Sequence, residues 1–382
     1  MKEIAWIFGR LGLLGFGGPV AVMALMEEEF SRKRRWVTSE RFSEIYAVCK
    51  LLPGPVATQM AIYLGMVRGG TLGGFVAGGM FILPAFLLIL AISFLYVNTK
   101  AVATAGPVFT GMQAGALVVI FVSLIQLARP YWRKVDARVI AVVSAILIFK
   151  LPHYEPLVIL FFGVLGGVLA ARRAKTNGAV VKPIEKSVHS WMPGFLTAGV
   201  FAGSAVPSST LLNLFWVCFK AGAFVFGTGL AVVPMLEADS VRHYHWLTHS
   251  EFMDGLAAGQ ITPGPVTITA TFIGYKIAGL IGALVATLGM YLPSFFNVLV
   301  LVPRVWNRFS GTPGAAGFSG WAIPAVVGGI FGTALRLGFL TLISPGPALI
   351  FVLAMGVALW LKPPAWLLIP ACGVLAALGG LF

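Results

Sequence analysis

Three cations stand where a chain this apolar offers them little water. Arg10 and Lys220 each lie inside a hydrophobic run ahead of a Phe-Gly break, and Lys50 stands just before the interrupted stretch Leu52-Pro53-Gly54-Pro55. Ionisable groups within apolar segments face a cavity or a partner, and cations with no acid beside them in the sequence call for an anionic guest. The competing reading of Arg10 and Lys220 is that each lies near a helix end and snorkels to the interface. The breaks supply the second ingredient. Proline removes a backbone donor and disfavours helix in the residue before it, so Pro53-Gly54-Pro55 and Gly15-Phe16-Gly17-Gly18-Pro19 interrupt their helices. A half-helix starting after Pro19 or Pro55 aims free N–H groups and a positive dipole end into the break. Gln59, just past the second break, can hydrogen-bond oxyanion oxygens or equally a neighbouring helix. This is chemistry of recognition, in which N–H groups and cations hold an oxyanion and no covalent step is needed.

The same chemistry is written twice. Trp6, Gly12, Phe16, Gly17, Glu27, Trp36 and Phe42 recur 210 positions later as Trp216, Gly222, Phe226, Gly227, Glu237, Trp246 and Phe252. Pro53-Gly54-Pro55-Val56 recurs as Pro263-Gly264-Pro265-Val266, and Arg10 and Lys220 are themselves a matched pair. Gly227-Thr228-Gly229 and Thr267 therefore join the candidate oxyanion site, whereas Lys50 meets Gln260 at its counterpart position. Interrupted segments at corresponding positions of two repeats point to a transporter's binding region. Glu27 and Glu237, at the ends of the opening segments, are candidates for proton coupling or for solvating a helix end. Past the second Pro-Gly-Pro the offset becomes 209, pairing Gly65 with Gly274 and Leu83-Pro84 with Leu292-Pro293, and the likeness fades after residue 100.

The elements that position these groups are membrane helices. Hydrophobic residues are 58% of the chain and charged residues 10%, against about 45–50% and 25% in soluble domains. Apolar runs at 71–97, 107–128 and 279–302 approach or exceed the roughly 20 residues that cross a bilayer. The expected fold is an all-α polytopic membrane protein with broken or re-entrant helices. No removable signal peptide is read at the start. A net charge of +14 suits nucleic acid on its face, but the basic residues crowd into short loops, where cytoplasmic retention accounts for them. The loops 31–41, 129–138, 172–186 and 303–308 all fall on the cytoplasmic side if 43–65 enters and leaves on one side, which makes the repeats inverted. The expected domains are a first repeat over 1–171, a cytoplasmic linker over 172–190 and a second repeat over 191–382. Cys49, Cys218 and Cys372 have no metal or redox spacing. His243, His245 and His249 read as a solvated loop, and no hydrolase elbow, phosphate loop or metal motif is found, so neither cofactor nor enzyme activity is expected.

GFGGP at 15–19, the Trp36 and Phe42 pair, LPGPVATQMAIYLG at 52–65, the GGxxAG run at 73–78 and FxLP at 81–84 together resemble the chromate ion transporter family, in its long two-domain form. The resemblance implies efflux of chromate across a bacterial inner membrane, with sulfate the related oxyanion. The second copy departs from the pattern, with Gly229 in place of Pro19 and Thr267-Ile268-Thr269 in place of Ala57-Thr58-Gln59, so two equivalent sites are not expected. The expected partners are chromate, or sulfate as the alternative, the lipid bilayer and a second copy in a homodimer, without nucleic acid. A dianion leaving a negative interior gains about 4.6 kcal/mol per 100 mV, so export can run on membrane potential alone. An anion channel would use the same electropositive breaks. A membrane enzyme acting on lipid phosphates would need a nucleophile, base or metal cluster that the motifs do not supply.

Overall fold

A backbone in lipid must satisfy its own hydrogen bonds, and every regular element among the described residues is helical. The computed structural model describes residues 1–16, 18–98, 106–151, 154–176, 207–226, 229–306 and 312–379; side chains are described for all of these except 18–20, 51, 176 and 304–306. In the first half, α1 (Lys2–Leu14), α2 (Gly18–Glu27, continuing as a π-helix over Glu28–Lys33), α3 (Ser39–Leu51) and α4 (Val56–Asn98) lead to α5 (Gly106–Ala128), α6 (Val135–Lys150) and α7 (Glu155–Thr176). The second half repeats the order. It runs through α8 (Ser208–Ala223), α9 (Val233–Glu237, followed by a π-helix over Ala238–His243), α10 (His249–Ile261) and α11 (Thr269–Phe296, continuing as a π-helix over Asn297–Trp306). It ends with α12 (Pro313–Thr341), α13 (Pro345–Trp360) and α14 (Ala365–Gly379).

Both kinds of break are tips of helical hairpins. Helices α1 and α3 have 13 residues each, roughly 20 Å of rise against a hydrocarbon core of about 30 Å. At the Phe16 break the chain reverses, so that Phe8 stacks on Phe30 at 5.0 Å and Glu3 pairs with Arg34 at 2.7 Å. At the Pro-Gly-Pro breaks it reverses again. In the second half Gly255 and Gly259 of α10 lie against Phe272 and Thr269 of α11, and Glu251 pairs with Lys276 at 2.9 Å. In the first, Tyr63 lies within electrostatic reach of Arg41 and Glu44 at the far end of α3.

Helix α4 holds a second reversal. Its 43 residues would make a rod of about 65 Å if straight, but Gly69 and Gly70 leave helical geometry, the latter at φ 62°, ψ −158°. Residues 56–68 (α4a) and 71–98 (α4b) then pack back to back, with Gly65 and Gly73 so close that a Cβ on either would meet the other's carbonyl oxygen. Helix α11 does the same at Ala278 and Gly279, with Gly274 against Gly282.

The halves are mutually inverted. Gly74 of α4b meets Leu299, and Gly78 meets Phe295, so α4b and the later part of α11 with its π continuation run antiparallel. At its far end α4b reaches the second half's own base, where the Tyr96 hydroxyl donates to Asp254 at 2.7 Å. Equivalent helices running antiparallel require a two-fold axis across the helix direction, the relation of inverted repeats. The halves also exchange partners: α5 packs against α13 and α14, and α12 against α6 and α7. The stretch read as a linker begins as helix, because α7 continues to Thr176; the rest of 172–190 lies outside the described residues.

Candidate functional site

The four hairpin tips meet at the centre, and each half completes the other. The Gly54 N–H donates to the Val225 carbonyl at 2.6 Å, and the Gly264 N–H donates to the Gly15 carbonyl at 3.1 Å. These are one contact made twice, since both donors and acceptors differ by 210 positions. Gly54 (φ 128°) and Gly264 (φ 98°) hold left-handed backbone that favours glycine. At Gly54 space forbids a side chain as well, because a Cβ would strike the Gln59 amide and lie 2.8 Å from the Ser294 hydroxyl. The Pro53 carbonyl accepts from Gln59 Nε2 and from Asn297 Nδ2, each at 2.6 Å. Two of the break N–H groups expected to face an anion are thus spent on joining the halves. The donors that remain for a guest are the first-turn N–H groups that any helix start leaves without an intrahelical partner.

Beside the tips lies a cleft of about 2320 Å³. Gly15, Phe16, Gly229, Thr262, Gly264 and Val266 bring the tips to its wall. Among the described residues that line it, Lys50, Arg129, Arg133, Arg138, Lys150 and Lys362 are cations, and none is an acid. Lys50 lies over the Tyr46 ring at 4.9 Å. Its counterpart Gln260 lines the same cleft, buried and with neither amide atom hydrogen-bonded to a described residue. A cation and an amide thus line one cleft from matching positions, and both kinds of group can donate to the oxygens of a tetrahedral oxyanion. Thr58 Oγ1, Gln59 Oε1 and Ser294 Oγ are also buried without hydrogen bonds in the tip region.

The structure corrects the expectation for Arg10 and Lys220. Neither lacks an acid: Arg10 pairs with Glu29 at 2.9 Å and Lys220 with Asp239 at 2.5 Å. Arg34 also reaches Glu29, at 2.7 Å. These pairs bind the two arms of each opening hairpin, and neither cation lines the cleft. The acids were legible, since Glu29 and Asp239 share the 210-position offset, but they match in charge and not in identity. Of the other expected residues, Lys50, Gly229 and Gly264 line the cleft. Gly18 and Pro19 open α2, and Pro55, Pro263 and Pro265 are buried at the tips. Thr267 is turned to Tyr291, donating to its hydroxyl at 2.9 Å. Glu237 pairs with Arg242 at 3.2 Å, and Glu27 is half-buried at the end of α2. Gly17, Gly227 and Thr228 lie outside the described residues. Gln260, which lines the cleft with Lys50, is not singled out by the sequence, where it reads as the loss of a lysine and not as a donor.

The chain matches the family model described as "Chromate transporter" twice, over residues 2–168 and 212–378. It is 31% identical over 371 residues to the "Chromate transport protein" of Cupriavidus metallidurans, covering 95% of this chain and 88% of that one. To the "Probable chromate transport protein" of Synechococcus elongatus it is 30% identical over 350 residues, covering 88% and 84%. A "Chromate transport protein" of Pseudomonas aeruginosa is 33% identical over 309 residues, covering 78% and 72%. No solved structure matches the chain.

Proposed function

The chain belongs to the chromate transporter family, and from that premise we propose that it exports chromate from the bacterial cytoplasm by alternating access, binding the dianion where the hairpin tips of the two halves meet. The observation that carries this reading is the cleft that reaches the tips with cations and no acid among its described lining residues. Arg129 and Arg133, in the turn between α5 and α6, and Arg138, in the first turn of α6, form its cytoplasmic mouth by the positive-inside rule and concentrate anions there. Lys50 supplies charge at the tips, while Gln260 and the first-turn N–H groups of the half-helices supply oriented donors. The short hairpins are re-entrant, each entering and leaving on its own side. Alternating access is then a rocking of one half against the other about the reciprocal Gly54 and Gly264 hydrogen bonds.

Related tetrahedral dianions share the charge and shape that these groups recognise, so sulfate competes with chromate on this reading. Chromate accumulation by intact cells tests it. Cells expressing the protein accumulate less chromate than cells without it, and Lys50→Gln removes most of the difference. Equal accumulation with and without the protein rejects chromate export.

A further inference from the structure

We propose that Glu155 is a proton-binding group whose ionisation competes for Lys220 and so makes transport depend on pH; this rests on the transporter reading above. Glu155 opens α7, has no exposed surface, and neither of its carboxyl oxygens has a hydrogen-bond partner among the described residues. An isolated carboxylate in apolar surroundings is so costly that such a group holds a proton instead. Its immediate walls are apolar: Gly329 of α12 lies so close that a Cβ there would be 2.7 Å from Oε1, and Ile148 of α6 closes on the same spot.

Among the described residues, the charged groups that act on it most strongly are Lys220 of α8, Asp239 of the π-helix after α9 and Glu237 of α9. Glu237 is held by Arg242 at 3.2 Å, and Arg336 of α12 adds positive charge beside Glu237. Lys220 is committed to Asp239. While Glu155 is neutral that pair is undisturbed. When Glu155 gives its proton to water, the carboxylate left behind competes with Asp239 for the one ammonium, and the pair that braces the two arms of the opening hairpin is loosened. That hairpin carries the Val225 carbonyl, which accepts the Gly54 N–H at the centre. Protonation at Glu155 thereby reaches the joint between the halves.

The opening hairpin of the first half shows no such device among the described residues. Glu29, its equivalent of Asp239, is held by two cations, Arg10 and Arg34, and Ala365 opens α14 where Glu155 opens α7.

The test uses purified full-length protein in liposomes, with chromate flux measured against pH at zero membrane potential. Wild-type flux changes with pH, Glu155→Gln flattens the profile, and Glu155→Asp displaces it. Infrared spectroscopy of the same preparations reads the carboxyl directly: a protonated-carboxyl band present in wild type at neutral pH is absent from Glu155→Gln, whether or not that variant transports. A Glu155→Gln variant that keeps the wild-type pH profile, or an infrared spectrum that the substitution leaves unchanged, overturns the proposal. Absence of chromate flux in wild type is a different failure and rejects the transporter reading itself.

Discussion

Arg10 and Lys50 differ in what they touch: Arg10 is ion-paired to Glu29, while Lys50 lines the cleft we propose for the anion. Glu29 has a side chain only 6% exposed and shares it between Arg10 and Arg34. Arg10→Ala leaves it underpaired, and a buried acceptor without its partner costs about 1–3 kcal/mol. The thermal unfolding midpoint in detergent should fall, and adding Glu29→Gln should restore part of it. Lys50→Gln should leave that midpoint unchanged, because Lys50 is exposed to the cleft and lies over the Tyr46 ring. It should raise the half-saturating chromate concentration about tenfold, the equivalent of about 1.4 kcal/mol. At this scale the sequence was half legible. The apolar setting of Arg10 and Lys220 marked them as needing a partner, yet that partner proved to be an acid from 19 positions away, brought back by the hairpin. Spacing along a chain does not reveal which distant carboxylate a fold returns.

Helix reversals, not kinks, are what the glycines and prolines encode. Three positions in α4 separate the physical causes. Gly65→Ala collides with Ala77 and the Gly73 backbone, and should prevent α4a and α4b from closing, seen as loss of monodisperse protein. Gly70→Ala meets nothing within 4 Å, so its cost is conformational alone, about 1–3 kcal/mol for a residue held at that backbone geometry. Gly79→Ala has open space in regular helix and should be neutral or stabilising by up to about 1 kcal/mol. Thermal unfolding of the three variants gives the order. The Pro-Gly-Pro turn was legible because proline has no donor and glycine permits positive φ, and loop charge required its hairpin to return. The turn at Gly69-Gly70 was not, since it lies inside an unbroken apolar run, and only the packing of Gly65 on Gly73 reveals it.

Inversion was legible from loop charge, and the exchange of α5 and α12 between halves was not, because contacts between apolar faces leave no signature in composition. Lys33 and His243 are exposed at equivalent positions in the two bases, and the native cysteines are buried. Lys33→Cys and His243→Cys should therefore label from opposite sides of the membrane in intact cells with a membrane-impermeant thiol reagent. Labelling from one side would contradict the inverted arrangement in the membrane. The reciprocal bonds of Gly54 and Gly264 tie the two halves at one centre, and the cleft beside it is the anion site we propose. The most direct measurement is uptake of labelled chromate into everted membrane vesicles, with unlabelled sulfate as competitor and Lys50→Gln in parallel. Saturable uptake that requires the protein, is reduced by sulfate and needs about tenfold more chromate in Lys50→Gln is the predicted result. Uptake no greater than in vesicles lacking the protein, or a Lys50→Gln variant that saturates as wild type does, would contradict it.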